Sequence, residues 1–485
     1  MKINLQLFEE KDLTKIHDYT LRVLENPRMK ILEPRMLSAL EKKGARVDYA
    51  SSIVNFPATL IEDTINLMKK DITQGRVPKY MNGVTSEKTE DTDTQAKFGG
   101  ACIQYLDWEK KQYRDPTESD LIDTVKLGQM LDEVKTVGNP VVYIRDENGN
   151  PIDPKIQRVK TVALIAKYTT KPGPTEVWNA KELEYLIEIG VVVKGSIESY
   201  MKDPCFITAK ETIAPLILEE KSSEVLLALA EKNLPCTIIP MPITGVSSPV
   251  SLFSNVVIGN SEILGTATAI KAVYPNAPAI GGIISGSMDM ATGTANFATP
   301  EATLQDLALA EVHERLYGFN FGMGGYIDAK YPGIQSTVEK EFKYFILALS
   351  GRFTYPVGLV NWDKCFSPEQ ALVDVQILKN THKFLEGIKI SDEDEILSLI
   401  RKVGIGGSFL QEEHTLLNFK KNLMVPELFD HTLSQGYEND IKKDMLVKAH
   451  DKVEKTLNRD DLYEIELDKA KEIDEIVKRA ETFLL

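Results

Sequence analysis

PCTIIPMPITGVSSPV (235–250), APAIGGIISGSMDMATGTANFATPEA (277–302) and FGMGGYIDAKYPGIQ (321–335) are three runs of one design. Each joins a short apolar segment of strand length to Gly, Ser, Thr and Pro, and each precedes a long segment of helical spacing. That is the pattern of a repeated βα unit with a small-residue loop where strand passes to helix. In parallel α/β barrels such loops gather at the carboxyl ends of the strands, where ligands bind.

Working outward, further strands are expected at 136–144, 175–179, 205–210 and 353–360, beside those at 235–242, 277–284 and 318–325. Helical segments are expected at 156–168, 180–192, 223–232, 252–274, 301–317 and 337–349. An eighth strand from ACIQYLDW would close a (β/α)8 TIM barrel. The open doubly wound sheet is the other solution, but no GxGxxG follows an early strand.

Three apolar-periodic segments within 11–72 predict an N-terminal helical region, and the polar run 73–97 a surface excursion. ACIQYLDW and KQYR flank a charged turn like a hairpin, and PTESDL supplies a helix start. After Phe366 the pattern is helical again, ending in a charged helix over 440–485 that reads as a cap or an oligomer contact. The expected division is therefore 1–97, a barrel over 98–366, and a C-terminal helical extension over 367–485.

A net charge of −15 argues against an extended nucleic-acid footprint, which needs a basic surface. No apolar run is long enough to span a bilayer. The first residues lack the features of a secretory signal, and four scattered cysteines fit reduced, buried thiols, so a cytoplasmic protein is expected.

No nucleophile constellation, HExxH or HxH spacing stands out among the six histidines. His313 reads as a packing or surface residue; His414 as a helix cap, a buried hydrogen-bond partner or a functional group. Asp328 and Lys330 follow a strand, with Tyr331 and Gln335 close behind, and are either an ion pair clasping the loop or ligand-facing. The loop 285–293 carries Ser287, and Glu211 is a lone carboxylate at the presumed mouth. Tyr105, Tyr143, Trp178, Tyr326, Tyr331, Tyr355 and Trp362 lie in or just beyond candidate strands. Aromatic faces there serve either packing or a quaternary ammonium.

PMPITGVSSPVSL, NSEILGTATAI, AVYPNAP, SMDMATG, ATPEA and GGYIDAKYPGIQ resemble the trimethylamine methyltransferase family, and GGSFLQEEHTLLNFKKNLMVPELFD is similar to its closing motif. The resemblance runs with interruptions from about Phe98 to Asp430. It implies a barrel that passes a methyl group from an N-methylated amine to the Co(I) of a separate corrinoid protein, with no cofactor or metal on this chain. The founding enzyme has pyrrolysine near the segment matching GGYIDAKYPGIQ. Here every residue is standard, which implies the branch using glycine betaine, proline betaine or carnitine. Gly333 departs from a usually acidic position, and FTYPVGLV lacks the His-Gly pair of many relatives near Pro356; both bear on which amine is used.

Under this resemblance Tyr105, Tyr326, Tyr355 and Trp362 are expected as cage walls and Glu211 as counter-charge. Lys330 or loop amides would meet a substrate carboxylate, with Ser287, Asp328, Tyr331 and Gln335 completing the binding set. Expected partners are a quaternary amine, a corrinoid protein on the loop face and further copies of the chain; no nucleic acid or membrane is expected. Two other readings compete: a barrel lyase or decarboxylase using Asp328 and Lys330, and a non-catalytic betaine sensor.

Overall fold

The computed structural model describes residues 5–77, 95–207, 209–319, 324–351, 354–388, 393–425, 427–431 and 444–485. Parallel pairing runs from Gln95–Phe98 to Val134–Val137, and from Val137 to Pro172 through a single bridge. Phe206 N donates to Gly173 O at 3.0 Å, Lys210–Glu211 pairs with Cys236–Ile239, and that strand pairs with Ala279–Gly281. Gly324 N donates to Ile283 O at 3.4 Å, and Thr354–Pro356 pairs back onto Gln95–Phe98. Eight ladder positions thus close a parallel (β/α)8 barrel.

The closing strand is Gln95–Phe98, not ACIQYLDW. Gln104–Asp107, from the latter run, pairs instead with Gln112–Arg114 and Cys365–Phe366 in a small sheet above the barrel. The expected hairpin with KQYR is therefore present, in the register Tyr105↔Arg114. Close contact of the last two inner strands depends on Gly325, where a Cβ would stand 2.5 Å from Pro356 Cγ.

Helices alternate with these strands as the sequence spacing predicts, among them Pro154–Tyr168, Leu252–Val273, Pro300–Val312 and Ile334–Leu349. PTESDL does start a helix: Thr117 Oγ1 accepts from Asp120 N, and Asp120 accepts from Thr117 N, so two end groups are satisfied reciprocally. The outer ring is double-layered around Leu252–Val273, which is buried along most of its length under the N-terminal helices Glu10–Glu25, Pro34–Lys42 and Ala58–Thr73. That double cover explains its apolar, small-residue sequence. A Cβ at Gly265 would meet Met29 Sδ at 2.7 Å, and a buried Lys271–Asp71 pair at 2.7 Å joins the layers.

The N-terminal region is not purely helical. Met29–Ile31, Arg46–Asp48 and Ile53–Asn55 form a sheet completed by Ile217–Leu218. Most of the expected excursion, 78–94, lies outside the described residues, as do 320–323 and 353 of two expected strands and 440–443 of the last expected helix. The C-terminal helices Met445–Leu457 and Leu467–Leu484 lie against the outer helix ring, the former on Pro368–Leu385 and the latter on Pro154–Tyr168 and Leu183–Lys194. Among the described residues no helix is long and apolar enough to cross a membrane.

Candidate active site at the carboxyl ends of the strands

Side chains alternate along a strand, so in the first barrel strand Ala96 and Phe98 pack outward while Lys97 turns into the barrel. By the same alternation Glu176, Glu211 and Tyr326 line the interior near its mouth. Glu211 keeps 44 % of its side-chain surface accessible, yet burial pushes its carboxyl up, with Lys210 opposing. A group both accessible and desolvated stands on the wall of a concavity. Lys210 Nζ lies 3.9 Å from Glu176, 3.7 Å from Glu211 and 3.2 Å from Val177 O, tying the third and fourth strands together.

Tyr326 meets Phe297 edge to face at 5.5 Å between centroids. Its phenol is raised well above the ordinary range, first by burial and then by Asp363, Glu211, Cys102 and Glu176. One aromatic ring therefore lies within electrostatic reach of three carboxylates from three different strand ends. Such a wall suits a cation that offers no hydrogen bond.

Beside it runs a rim cluster. Asp328 Oδ1 accepts from Phe297 N at 2.8 Å and Trp362 Nε1 at 3.0 Å, while Oδ2 accepts from Ala298 N at 2.9 Å. Glu339 Oε2 accepts from Asp328 N and Ala329 N, both at 2.9 Å, and its Oε1 accepts from Gln335 at 2.6 Å. Lys330 Nζ sits 3.2 Å from the Trp362 ring centroid, and Tyr331 stacks on Tyr113 at 4.9 Å. Asp328 and Lys330 are thus held by Trp362 and the loop backbone; among the described residues the expected ion pair between them is not formed, and both Asp328 oxygens are engaged by N–H donors.

Other expected residues stand elsewhere. Tyr355 is 1 % exposed, stacked near Tyr344 and donating its hydroxyl to Tyr344 O, so it has no face for a ligand. Because strand parity turns position 355 outward, the expected cage wall is a core residue. One face of Tyr105 is taken by the Arg114 guanidinium at 4.9 Å, which Asp120 grips with both oxygens. Ser287, in the hairpin of Gly286–Asp289 and Thr294–Asn296, bonds Thr299 at 2.9 Å and Glu301 at 3.1 Å at the start of the helix Pro300–Val312. Trp178 is covered by Arg158 at 4.0 Å. His313 is fully buried beside Asn260, and His414 lies on the peripheral helix Glu413–Asn422, which buries no residue. Among the described residues no group of three or more His, Cys, Asp and Glu is arranged to hold a metal ion.

Sequence reasoning missed Lys97, Glu176 and Asp363. Asp363 belongs to a turn, 361–363, in which three successive non-glycine residues have φ of 55°, 58° and 58°. Left-handed backbone costs each about 1–2 kcal/mol. It is held by Asn361 N donating to Ala329 O at 2.8 Å and Trp362 N to Ile327 O at 2.9 Å. The only sequence signal was its place beside Trp362, just past the last strand. Two open surface clefts, beside Arg76 and Asn233 and beside Arg35 and Ala272, lie toward the amino ends of the strands, away from this face.

The family model described as trimethylamine methyltransferase (MTTB) matches residues 2–483. A trimethylamine methyltransferase from Methanosarcina barkeri is 28 % identical, covering 99 % of this chain and 96 % of its own. One from Desulfitobacterium hafniense is 25 % identical over 92 % of this chain and 88 % of its own. A glycine betaine methyltransferase from Desulfitobacterium hafniense is 22 % identical over 88 % and 87 %. Among solved structures, the Methanosarcina barkeri monomethylamine methyltransferase aligns with a TM-score of 0.49 at 13 % identity, covering 98 % of this chain and 88 % of that one. With the match spanning almost the whole chain and only standard residues in the barrel, the protein belongs to the trimethylamine methyltransferase family, in its branch without pyrrolysine.

Proposed function

We propose that this methyltransferase takes a methyl group from a quaternary amine of betaine type and delivers it to the Co(I) of a corrinoid carried by a separate protein. The observation that carries the reading is the inward-turned Tyr326 ring, packed edge to face on Phe297, with the part-accessible Glu211 carboxylate at the same mouth. An aromatic face beside a carboxylate stabilises a permanent cation without donating to it.

The chemistry asks little more of the chain. When the C–N bond breaks, its electron pair stays on nitrogen and a neutral tertiary amine leaves, so no proton need be supplied. The new bond to carbon draws both its electrons from the acceptor. The barrel contributes alignment of methyl, nitrogen and acceptor, and exclusion of water. The glycine betaine methyltransferase among the relatives supports a betaine over a smaller amine. A lyase using Asp328 is disfavoured because both its oxygens are already engaged by N–H donors.

Incubating the protein with Co(I) cobalamin and a panel of glycine betaine, proline betaine, carnitine and trimethylamine tests this. Loss of the Co(I) absorbance with a betaine, and not with trimethylamine, is the expected result. Binding of betaine without any methyl transfer, to free or protein-bound Co(I) corrinoid, would favour the sensor instead.

A further inference from the structure

Asp363 is 5 % exposed, and among the described residues neither of its oxygens has a hydrogen-bond partner. A buried carboxylate left this way is costly unless something else meets it. It is also carried on the strained turn 361–363, and such strain concentrates where function requires it.

Its charged neighbours are unequal. Lys340 has Asp374 at 3.5 Å and the Tyr344 hydroxyl at 2.8 Å. Lys343 has Phe297 O at 3.0 Å and Asp306 at 3.9 Å. Lys97, facing inward from the first strand, has Asp363 as the acidic group that supports its charge against burial. Strand parity turns Lys97 inward, and Ile103 N and Gln104 N donate to Lys364 O at 3.0 and 2.9 Å, which holds the turn bearing Asp363 over the carboxyl end of that same first strand. Each of the two groups bears on the other's ionisation, and Asp363 has no hydrogen bond to Lys97.

We propose that Lys97 and Asp363 form a fixed dipole that orients a zwitterionic substrate, with Asp363 against the quaternary ammonium and Lys97 against the carboxylate. This rests on the function proposed above and names the pair that selects betaines from simple cations. It assigns the carboxylate contact to Lys97 instead of Lys330, whose ammonium lies on the Trp362 ring at the rim. A zwitterion bound by both groups gives each a partner of opposite charge. A plain tetraalkylammonium satisfies Asp363 alone and leaves Lys97 facing it.

The ionisation of Asp363 supplies a second handle. Burial, with Asp374 adding, pushes its carboxyl up to about 7, against the opposing pull of Lys340, Lys343 and Lys97. The other groups facing it are Cys102, Tyr326 and Tyr344, all held neutral far above this range. Only the ionised form attracts an ammonium. Tetramethylammonium affinity is therefore expected to rise about ten-fold between pH 6 and pH 8, with protons released on binding.

Calorimetric titration of the wild type, Lys97→Met and Asp363→Asn with glycine betaine and tetramethylammonium decides the matter. Lys97→Met should weaken glycine betaine at least ten-fold and leave tetramethylammonium within two-fold or tighter. Asp363→Asn should weaken both at least ten-fold and abolish the pH dependence. Equal losses for both ligands in Lys97→Met, or pH dependence surviving in folded Asp363→Asn, overturn the dipole while the proposed function stands. A wild type that binds neither ligand overturns both. Should Asp363→Asn not fold, the Lys97→Met ratio and wild-type proton release in two buffers still support or overturn the dipole.

Discussion

Asp328 and Tyr326 are two residues apart on one strand end and do different work. Asp328 collects three N–H donors, so Asp328→Asn must aim an amide at a donor and is expected to cost ~1–3 kcal/mol of stability. Urea unfolding measures this; wild-type stability with an altered pH–rate profile would return Asp328 to acid–base chemistry. Tyr326 turns inward near the barrel mouth and meets Phe297 edge to face, so Tyr326→Leu should weaken tetramethylammonium by ~1–2 kcal/mol. Tyr355→Leu is the contrasting case: it should leave that affinity unchanged and cost ~2–4 kcal/mol of stability, because the ring is core. Tyr326 and Glu211 could be singled out from sequence because they follow apolar runs. Asp363 could not: NWDK reads as an ordinary polar turn, and its isolation from hydrogen bonds arises only when three distant segments close around it.

The helix Leu252–Val273 carries a carboxyl that makes the elements pH-sensitive. Glu262 is fully buried, accepts from Leu216 N at 2.9 Å and from the Thr212 hydroxyl, and is raised by burial to about 7. Its folded value lies above its unfolded one, so the folded state binds the extra proton. The stabilisation is complete below the unfolded value and is lost as pH rises through about 7. Glu262→Gln should therefore gain on the wild type between pH 5 and pH 8, by at most ~1.4 kcal/mol per pH unit. His313, pushed down to about 3 by burial, acts in the opposite sense, and the difference between the two proteins isolates Glu262. A difference independent of pH would mean that Glu262 is ionised throughout. Helices such as this were legible because their apolar spacing is local. The first barrel strand was not, since QAKF follows a polar run and turns a lysine inward. The three-residue strands of the N-terminal sheet depend on pairing with Ile217–Leu218, far away in sequence.

At the scale of the molecule, two groups of exposed apolar residues among the described ones bear on docking. One lies on the segment of the helices Glu393–Val403 and Glu413–Asn422, with Ile405, Leu410, Leu416 and Leu417; the other surrounds the barrel mouth, with Val246, Val250, Met290, Tyr331 and Ile334. Geometry decides between them for the proposed corrinoid carrier. Cobalt must come within bonding distance of a methyl group held near Tyr326, and the mouth is the end of the barrel on which that ring stands. Met290 is 80 % exposed at the tip of its hairpin, well suited to report contact. The charged helix Leu467–Leu484 is already committed: Ile473, Ile476 and Ala480 are buried, and Lys160–Glu481 and Lys167–Asp474 pair at 2.8 and 2.6 Å. Hydroxyl-radical footprinting with a corrinoid carrier is therefore expected to protect Val250, Met290 and Tyr331, leaving Leu416, Leu417 and residues 467–484 as reactive as in the free protein. Protection confined to the helices Glu393–Val403 and Glu413–Asn422 or to the last helix would mean that the carrier does not deliver its cobalt through the mouth, and methyl transfer at Tyr326 would lose its acceptor.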